Sequence, residues 1–169
     1  FKTAQGRELA YHHSEGTGPA IVFLSGFKSD MQGTKAVHLE AWARRSGRAF
    51  LRFDYSGHGQ SSGAFTDGCI SDWSEDAVAA VTHLIDGPVI LVGSSMGGWI
   101  ALLLAQRLEQ TKVAGMVTVA AAPDFTEDSM WVGFDDAERS DLQRFGQVVL
   151  PSDYDEPYVI TRRLIEDGR

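Results

Sequence analysis

The chain has 169 residues, a hydrophobic fraction of 43% and a formal net charge of −8 at pH 7. This length allows one substantial core but not two full domains, and the excess of carboxylates argues against nucleic acid as a partner. A small or acyl substrate fits this negative charge better. The longest apolar stretch, residues 99–105, falls far short of the roughly 20 residues that cross a bilayer, so we expect no membrane span.

Cys69 is the only cysteine of the chain. An internal disulfide and paired-cysteine metal or redox motifs are therefore excluded, and we expect no metal site. A single cysteine fits a reducing compartment, which predicts a cytoplasmic protein. Residue 1 is Phe, which indicates a trimmed or processed sequence. If a targeting segment has been removed, the mitochondrial matrix is the alternative.

Short apolar runs alternate with stretches of helical periodicity, which is typical of parallel strands joined by crossover helices. Strands are predicted over residues 9–12, 20–24, 49–54, 89–92 and 116–120. Their order in the sheet is expected to follow the chain, with the first two strands at one edge. Helices are predicted over residues 34–46, 96–108 and a segment that Ser71 caps and that runs to Leu84.

The character of the chain changes after residue 122. Residues 124–141 are rich in Asp and Glu, with Arg139 as the one basic residue, and are predicted to form a solvated excursion. Residues 157–169 are amphipathic at best and predict no closing element. We therefore divide the chain into residues 1–122, an N-terminal part of the α/β core, and residues 123–169, an acidic cap or lid-like segment with an incomplete continuation.

The motif Gly93-Ser94-Ser95-Met96-Gly97 carries the clearest chemical signal. A serine hydroxyl is a weak nucleophile, so an enzyme that uses one must expose it, supply a base and stabilise an oxyanion. The Gly-x-Ser-x-Gly pattern places the serine on a strained turn between a strand and a helix, and the flanking glycines avoid collisions. Because an apolar strand precedes the motif and an apolar helix follows it, we predict that Ser95 is a nucleophile. The alternative is a serine in an ordinary glycine turn.

Two backbone amides are predicted to form an oxyanion hole. The N–H of Met96 follows the nucleophile at the start of a helix, where amides point at an anion. The second donor should follow an earlier strand, and the N–H of Phe27 comes soon after the strand at residues 20–24. The alternative for Phe27 is a plain turn.

Three motifs stand in the order and spacing of the α/β-hydrolase family, which the chain resembles over residues 20–122. Within this family, it is most similar to the small serine esterases and thioesterases grouped with the mitochondrial palmitoyl-protein thioesterase and acyl-glucuronide esterase. The motifs are Leu24-Ser25-Gly26-Phe27, Arg52-Phe53-Asp54-Tyr55-Ser56-Gly57-His58-Gly59-Gln60-Ser61-Ser62 and Gly93-Ser94-Ser95-Met96-Gly97-Gly98-Trp99.

The resemblance implies the α/β-hydrolase fold, with a mostly parallel, doubly wound sheet. It also implies cleavage of acyl esters or thioesters through an acyl-enzyme on Ser95, with Phe27 and Met96 as backbone donors and no metal or organic cofactor. The loop at residues 57–62 does not contradict this expectation. Ser62 replaces the third glycine of a dinucleotide-binding loop, so we expect no nucleotide cofactor.

The chain departs from the family after the nucleophile. The family places its acid and then its histidine after the serine, whereas all five histidines here precede Ser95. We therefore expect a C-terminally incomplete fold whose general base and acid lie beyond Arg169. The 169 residues alone should then show little turnover. A second fragment is expected to supply the missing strands. Asp124 is the candidate acid within the chain, with a helix cap as the alternative. His58 is a candidate substitute base, with a turn residue as the alternative.

Two functions remain open from the sequence. The first is a serine hydrolase of carboxylic esters or thioesters. The second is a non-catalytic α/β-hydrolase-fold binding protein, or an inactive fragment, that retains the nucleophile turn and lacks a general base.

Overall fold

The central sheet consists of four parallel strands and one antiparallel edge strand. The computed structural model describes residues 1–151 and 157–169. The strands lie in the order β1-β3-β2-β4-β5, and a separate antiparallel hairpin pairs β6 with β7. Their bounds are β1 Tyr11–Ser14, β2 Thr17–Leu24, β3 Arg48–Phe53, β4 Val89–Ser94, β5 Val113–Val119, β6 Gln147–Leu150 and β7 Tyr158–Thr161.

The helices connect these strands and cover both faces of the sheet. They are α1 Thr34–Arg45, α2 Ile70–Leu84, α3 Met96–Arg107, α4 Asp136–Phe145 and α5 Arg162–Asp167, with a 3₁₀ turn at Phe65–Asp67 and a π-helical turn at Thr126–Trp131. Ile21 and Phe23 of β2 pack with α1, whereas Val22 and Leu24 belong to the larger core that includes α2 and α3. This alternation follows from the two-residue period of a strand that is covered on both faces.

The predicted sheet order is wrong, because β2 lies between β3 and β4 and is not an edge strand. From β2, the connection through α1 leads to β3 on one side, and the connection through α2 then crosses back to β4 on the other side. Because such crossovers are right-handed, reversing their direction places α1 and α2 on opposite faces of the sheet. The strand order is therefore a property of the connections, which the apolar runs do not encode.

The predicted cap of α2 is also wrong. The helix begins at Ile70 with Cys69 as its N-cap residue. Ser71 lies inside the first turn, and its N–H donates to the Asp167 carboxylate at 2.8 Å. The amide that a local cap would satisfy is therefore bound by a residue of α5, far along the chain.

The acidic segment is more ordered and more buried than a solvated excursion. Thr126, Phe134 and Leu142 are at most 5% exposed, and Phe134 and Leu142 join the same hydrophobic core as α2 and α3. Some of the acidic side chains act as helix caps: the Asp135 carboxylate accepts from Glu138 N at 2.8 Å. The prediction of a solvated excursion over residues 124–141 is therefore wrong for Thr126 and Phe134, because the acidic side chains describe only the outward face of this segment.

The end of the chain forms elements that the sequence did not indicate. Residues 157–169 contain β7 and α5, and Ile160, Leu164 and Ile165 are buried in the main core. Residues 152–156, which belong to the predicted cap segment, lie outside the described residues. At the other end of the sheet, β5 pairs with β4 alone among the described strands, and Val117 and Val119 are exposed.

Candidate active site

The turn between β4 and α3 presents Ser95 to solvent. Ser95 has a φ of 55° and a ψ of −121°, a conformation that non-glycine residues rarely adopt and that neighbouring contacts must maintain. Its N–H donates to Val119 O at 3.0 Å, and its carbonyl accepts from Gly98 N at 2.8 Å and Ala122 N at 3.2 Å. The backbone is thus bound from β5 and α3, while the side chain is exposed as a nucleophile requires.

The glycines around Ser95 permit a close approach of three backbone segments. A Cβ at Gly97 would lie 2.5 Å from the carbonyl carbon of Leu24 and 2.7 Å from Ser25 O. A Cβ at Gly93 would lie 2.5 Å from the carbonyl carbon of Gly97. Contacts this short are sterically forbidden. The geometry therefore supports the prediction that side chains at positions 93 and 97 would collide with neighbouring backbone.

The loop after β2 lies directly against the nucleophile. A Cβ at Gly26 would lie 3.4 Å from the Cβ of Ser95 and 3.4 Å from Ser94 O. The adjacent N–H of Phe27 and the N–H of Met96, the first residue of α3, have no backbone carbonyl as acceptor within the described residues. The two predicted oxyanion donors therefore belong to segments next to Ser95, and their role remains a prediction.

A buried polar network holds the far end of this loop. The Asp54 carboxylate accepts from Met31 N at 2.6 Å and from Gln60 N at 2.9 Å. Arg52 Nη1 donates to Met31 O at 2.8 Å, and Arg52 Nε donates to the Glu40 carboxylate at 2.8 Å. Arg52 of β3 and Asp54 just after it thus position the loop after β2, and Asp54 also binds the glycine-containing loop after β3.

A cleft of about 270 Å³ opens beside Ser95, on the α1 side of the sheet. Its walls come from the end of β2, the loop that follows it, the first turn of α1 and the nucleophile turn. Polar and charged lining residues include Ser29, Asp30, Thr34, Lys35 and Ser95. The first turn of α1 was predicted only as a crossover helix, and its place in the cleft was missed.

Aromatic side chains pack around the Phe27 ring. The ring centroid of Phe27 lies 5.0 Å from Phe65, 5.5 Å from Phe125 and 6.3 Å from Tyr158. Lys28 Nζ lies 4.9 Å from the centroid of Tyr158, within the range of a cation–π interaction. We call Phe27, Phe65, Phe125 and Tyr158 the aromatic wall. Phe125 and Tyr158 were missed because no local pattern connects them to the nucleophile.

His58, the candidate substitute base, lies in the interior. It is 5% exposed, its Nδ1 lies 3.1 Å from Ser56 O, and its Nε2 has no hydrogen-bond partner. Burial lowers its pKa below the ordinary value of 6.5, although neighbouring carboxylates oppose this effect. Among the described residues, no histidine hydrogen-bonds to Ser95. A buried ring without a bond to the nucleophile does not act as its base in this structure.

Asp124, the candidate acid, lies on the loop after β5. It is exposed and has a φ of 54°. Its backbone carbonyl accepts from Glu127 N at 3.0 Å and Asp128 N at 2.9 Å, so the residue lies in the turn that precedes the π-helical segment Thr126–Trp131. The loop touches the nucleophile through Ala122 N and Ser95 O, which keeps Asp124 as a candidate without establishing its role.

Residues 1–151 and 157–169 contain neither a cluster of potential metal ligands nor a helix that could span a membrane. No three His, Cys, Asp or Glu side chains are grouped as metal ligands there. No helix in these ranges is long and apolar enough to cross a membrane.

Comparison with known proteins identifies relatives of this architecture. Residues 19–163 match the family model described as alpha/beta hydrolase fold. The rat mitochondrial palmitoyl-protein thioesterase ABHD10 is 35% identical over 148 residues, which cover 88% of this chain and 49% of that protein. The chain therefore spans about half the length of this curated relative.

Two solved structures have a similar fold. A protein from Agrobacterium vitis S4 has a TM-score of 0.92 and 42% identity, covering 100% of this chain and 68% of that one. The mouse alpha/beta hydrolase domain-containing protein 10 has a TM-score of 0.86 and 31% identity, covering 99% of this chain and 67% of that one.

Proposed function

This chain belongs to the α/β-hydrolase family, and from this membership we propose that it is the nucleophile-bearing part of a serine hydrolase that cleaves carboxylic esters or thioesters. One observation carries the proposal: Ser95 is exposed at a φ of 55° on the turn between β4 and α3. Strain of this kind persists only where surrounding contacts enforce it, and it is concentrated at functional sites. The loop that carries Phe27 lies beside this serine.

The proposed reaction has two halves. The Ser95 hydroxyl gives its proton to a base and attacks the acyl carbonyl carbon, and the alcohol or thiol leaves with a proton. Water then attacks the acyl-enzyme ester, releasing the carboxylic acid and restoring the hydroxyl. The N–H groups of Phe27 and Met96 stabilise the oxyanion in both halves, and losing one such donor typically costs on the order of 100-fold to 1000-fold in rate.

The general base is proposed to come from residues outside these 169. In this family, the histidine follows the serine, and here no histidine follows Ser95. Because β5 pairs with β4 alone among the described strands, its outer edge is the natural place for further strands, supplied by a longer chain or a second fragment. Asp124 is the proposed acid if it meets that histidine. No metal or organic cofactor has a step in this reaction.

The proposed substrate is an acyl ester or thioester. The name of the rat relative supports a palmitoyl thioester, and the aromatic wall offers apolar surface near the nucleophile for an acyl chain. The proposed compartment is a reducing one, either the cytoplasm or the mitochondrial matrix, and the mitochondrial name of the relative favours the latter.

Labelling by a fluorophosphonate tests the nucleophile directly. The full-length protein is expected to be labelled, and Ser95→Ala is expected to abolish the labelling. Ser94→Ala is the matched control because Ser94 is the neighbouring serine but is only 8% exposed. Equal labelling of the Ser95→Ala variant would refute the assignment.

A non-catalytic binding protein is the second candidate, favoured by the lack of a histidine bonded to Ser95 in the described part of the chain. An assay of palmitoyl-thioester hydrolysis distinguishes the enzyme from the binding protein. Turnover by the full-length protein supports the enzyme, and the 169-residue chain should then be slower by about 10⁶-fold, as for other serine hydrolases that lose the histidine. A full-length protein that binds acyl thioesters without cleaving them supports the binding protein.

A further inference from the structure

The loop after β2 contains a tight turn that holds a lysine in a conformation typical of glycine. Ser29 N donates to Gly26 O at 3.1 Å, which closes a β-turn with Phe27 and Lys28 as its central residues. Lys28 has a φ of 52°, whereas the φ of Phe27 is negative. A positive φ at the second central residue alone is characteristic of a type II turn, in which glycine is preferred at that position.

Lysine is unfavourable at this position of the turn. The left-handed conformation disfavours a residue with a side chain by roughly 5- to 30-fold in population. The alternative is a type I turn, in which the φ of Lys28 is negative and the peptide group between Phe27 and Lys28 is reversed. This peptide group directly follows the N–H of Phe27, the proposed oxyanion donor. A change of turn type therefore reverses a dipole beside that donor.

The Lys28 side chain makes contacts that offset this strain. Lys28 Nζ lies 4.9 Å from the ring centroid of Tyr158 and 5.4 Å from that of Phe65. A cation–π contact at an exposed site contributes about 2- to 5-fold in an equilibrium constant, so the two together are comparable with the cost of the backbone conformation. Tyr158 begins β7 and Phe65 begins the 3₁₀ turn, so both contacts join the turn to distant parts of the chain.

We infer that Lys28 is a positioning residue: its contacts with Tyr158 and Phe65 hold the turn at residues 26–29 in the type II conformation that orients Phe27 beside Ser95. The orientation of Phe27 therefore depends on the packing of β7 against this turn. The effect on catalysis rests on the proposed function, through the role of the Phe27 N–H, whereas the effect on the turn does not.

Alanine and glycine at position 28 separate the side-chain contacts from the backbone strain. Lys28→Ala removes the contacts but keeps the strain, so the turn relaxes. The kcat of the full-length protein for p-nitrophenyl acetate should then fall by about 10-fold, with little change in KM. Lys28→Gly removes both contacts and strain and should recover most of this loss. Lys2→Ala is the matched control, at an exposed lysine without a positive φ.

Tyr158→Leu tests the contact from the side of β7. An acetyl ester is used because its short acyl group does not require the aromatic wall. The substitution should lower kcat by about 2- to 5-fold in the chain with Lys28. It should have little further effect in the Lys28→Gly variant, because the turn there no longer depends on the contact. The two backgrounds thus form a double-mutant cycle.

Three results would overturn the inference. Equal losses of kcat in Lys28→Ala and Lys28→Gly would show that the turn type is not what the side chain maintains. An unchanged kcat in Lys28→Ala would show that the contacts do not matter. Equal effects of Tyr158→Leu in both backgrounds would assign its effect to packing against the Phe27 ring, which lies 6.3 Å away.

Urea denaturation gives a readout that does not require catalysis. Lys28→Gly should unfold at a higher urea concentration than Lys28→Ala, because glycine adopts the positive φ without strain. Tyr158→Leu should lower the urea midpoint more in the chain with Lys28 than in Lys28→Gly. The opposite order in either comparison contradicts the inference. These differences in a protein without esterase activity or fluorophosphonate labelling would refute the proposed hydrolase and retain the positioning of the turn.

Discussion

The Asp54 carboxylate accepts a hydrogen bond from the backbone N–H of Met31 at 2.6 Å. Met31 ends the loop that begins after β2 and carries Phe27, while Asp54 follows directly after β3. Arg52 Nη1 donates to the carbonyl oxygen of Met31 at 2.8 Å. The N–H and the carbonyl of Met31 are therefore held by an anion just after β3 and by a cation within β3, and these two contacts position the loop that approaches Ser95.

Asp54→Ala should destabilise the protein. The substitution leaves the buried Met31 N without its acceptor, at a cost of roughly 1–3 kcal/mol, and also removes the acceptor of the part-buried Gln60 N, at a smaller cost. We expect the free energy of unfolding, measured by urea denaturation, to fall by about 3 kcal/mol. Asp86→Ala, at an exposed position, is the control and should change it little. Similar stability of the two variants would contradict the role assigned to Asp54.

Gly97→Ala should disrupt the nucleophile turn. The added methyl group would collide with the backbone of Leu24 and Ser25, which cannot move without displacing β2. The expected loss is about 3 kcal/mol in the free energy of unfolding, with slower fluorophosphonate labelling of Ser95. Gly87→Ala is the matched control because a Cβ there meets nothing within 4 Å. If both glycine variants behaved alike, the close approach of strands at Gly97 would be disproved.

Glu40→Ala should leave the Arg52 guanidinium as a buried charge without its carboxylate. Removing one partner of a buried pair typically costs about 3–5 kcal/mol, whereas replacing both by apolar groups costs less. Urea denaturation should therefore show that Glu40→Leu/Arg52→Met is more stable than Glu40→Ala. A double variant less stable than Glu40→Ala would show that Arg52 contributes mainly through Met31.

The Glu40–Arg52 pair makes a pH-dependent contribution to the free energy of unfolding. Burial disfavours the Glu40 carboxylate, but hydrogen bonds from Ser14 Oγ and Arg52 outweigh this effect and lower the pKa of Glu40 below its ordinary value of 4.5. The resulting stabilisation is present above pH 4.5 and is lost as pH falls through the lowered pKa. Denaturation at a series of pH values should show a smaller acid loss for Glu40→Gln than for the unchanged chain.

His58 should make the free energy of unfolding depend on pH in a range above the one in which Glu40 titrates. Because burial lowers its pKa in the folded state, the unfolded chain takes up a proton first as pH falls below about 6.5. The free energy of unfolding should therefore be largest above that pH and decrease toward the lowered pKa. His58→Phe removes the titrating group and should flatten this part of the profile, measured by urea denaturation. His13→Gln, at an exposed histidine, is the control; an unchanged profile in His58→Phe would contradict the prediction.

Local patterns were sufficient to predict the tight turn at Ser95 between an apolar strand and an apolar helix. Ser95, Gly93 and Gly97 lie within five consecutive residues, and the steric demands of such a turn act over that distance. The α/β class was also predictable, because burial on two faces imposes apolar strands and a 3.6-residue period on the helices between them. The same patterns misplaced Ser71 as a cap, because the partner of its N–H is Asp167 of α5.

The amino-acid sequence by itself determined the strained serine, its flanking glycines and the alternation of strands and helices, since each depends on residues close together in the chain. The tertiary structure decided the strand order, the Asp54–Met31 contact, the burial of His58 and the aromatic wall. These features join residues that are distant in sequence. Their pairing is selected by the handedness of the connections and by the packing of whole elements, which no local pattern specifies.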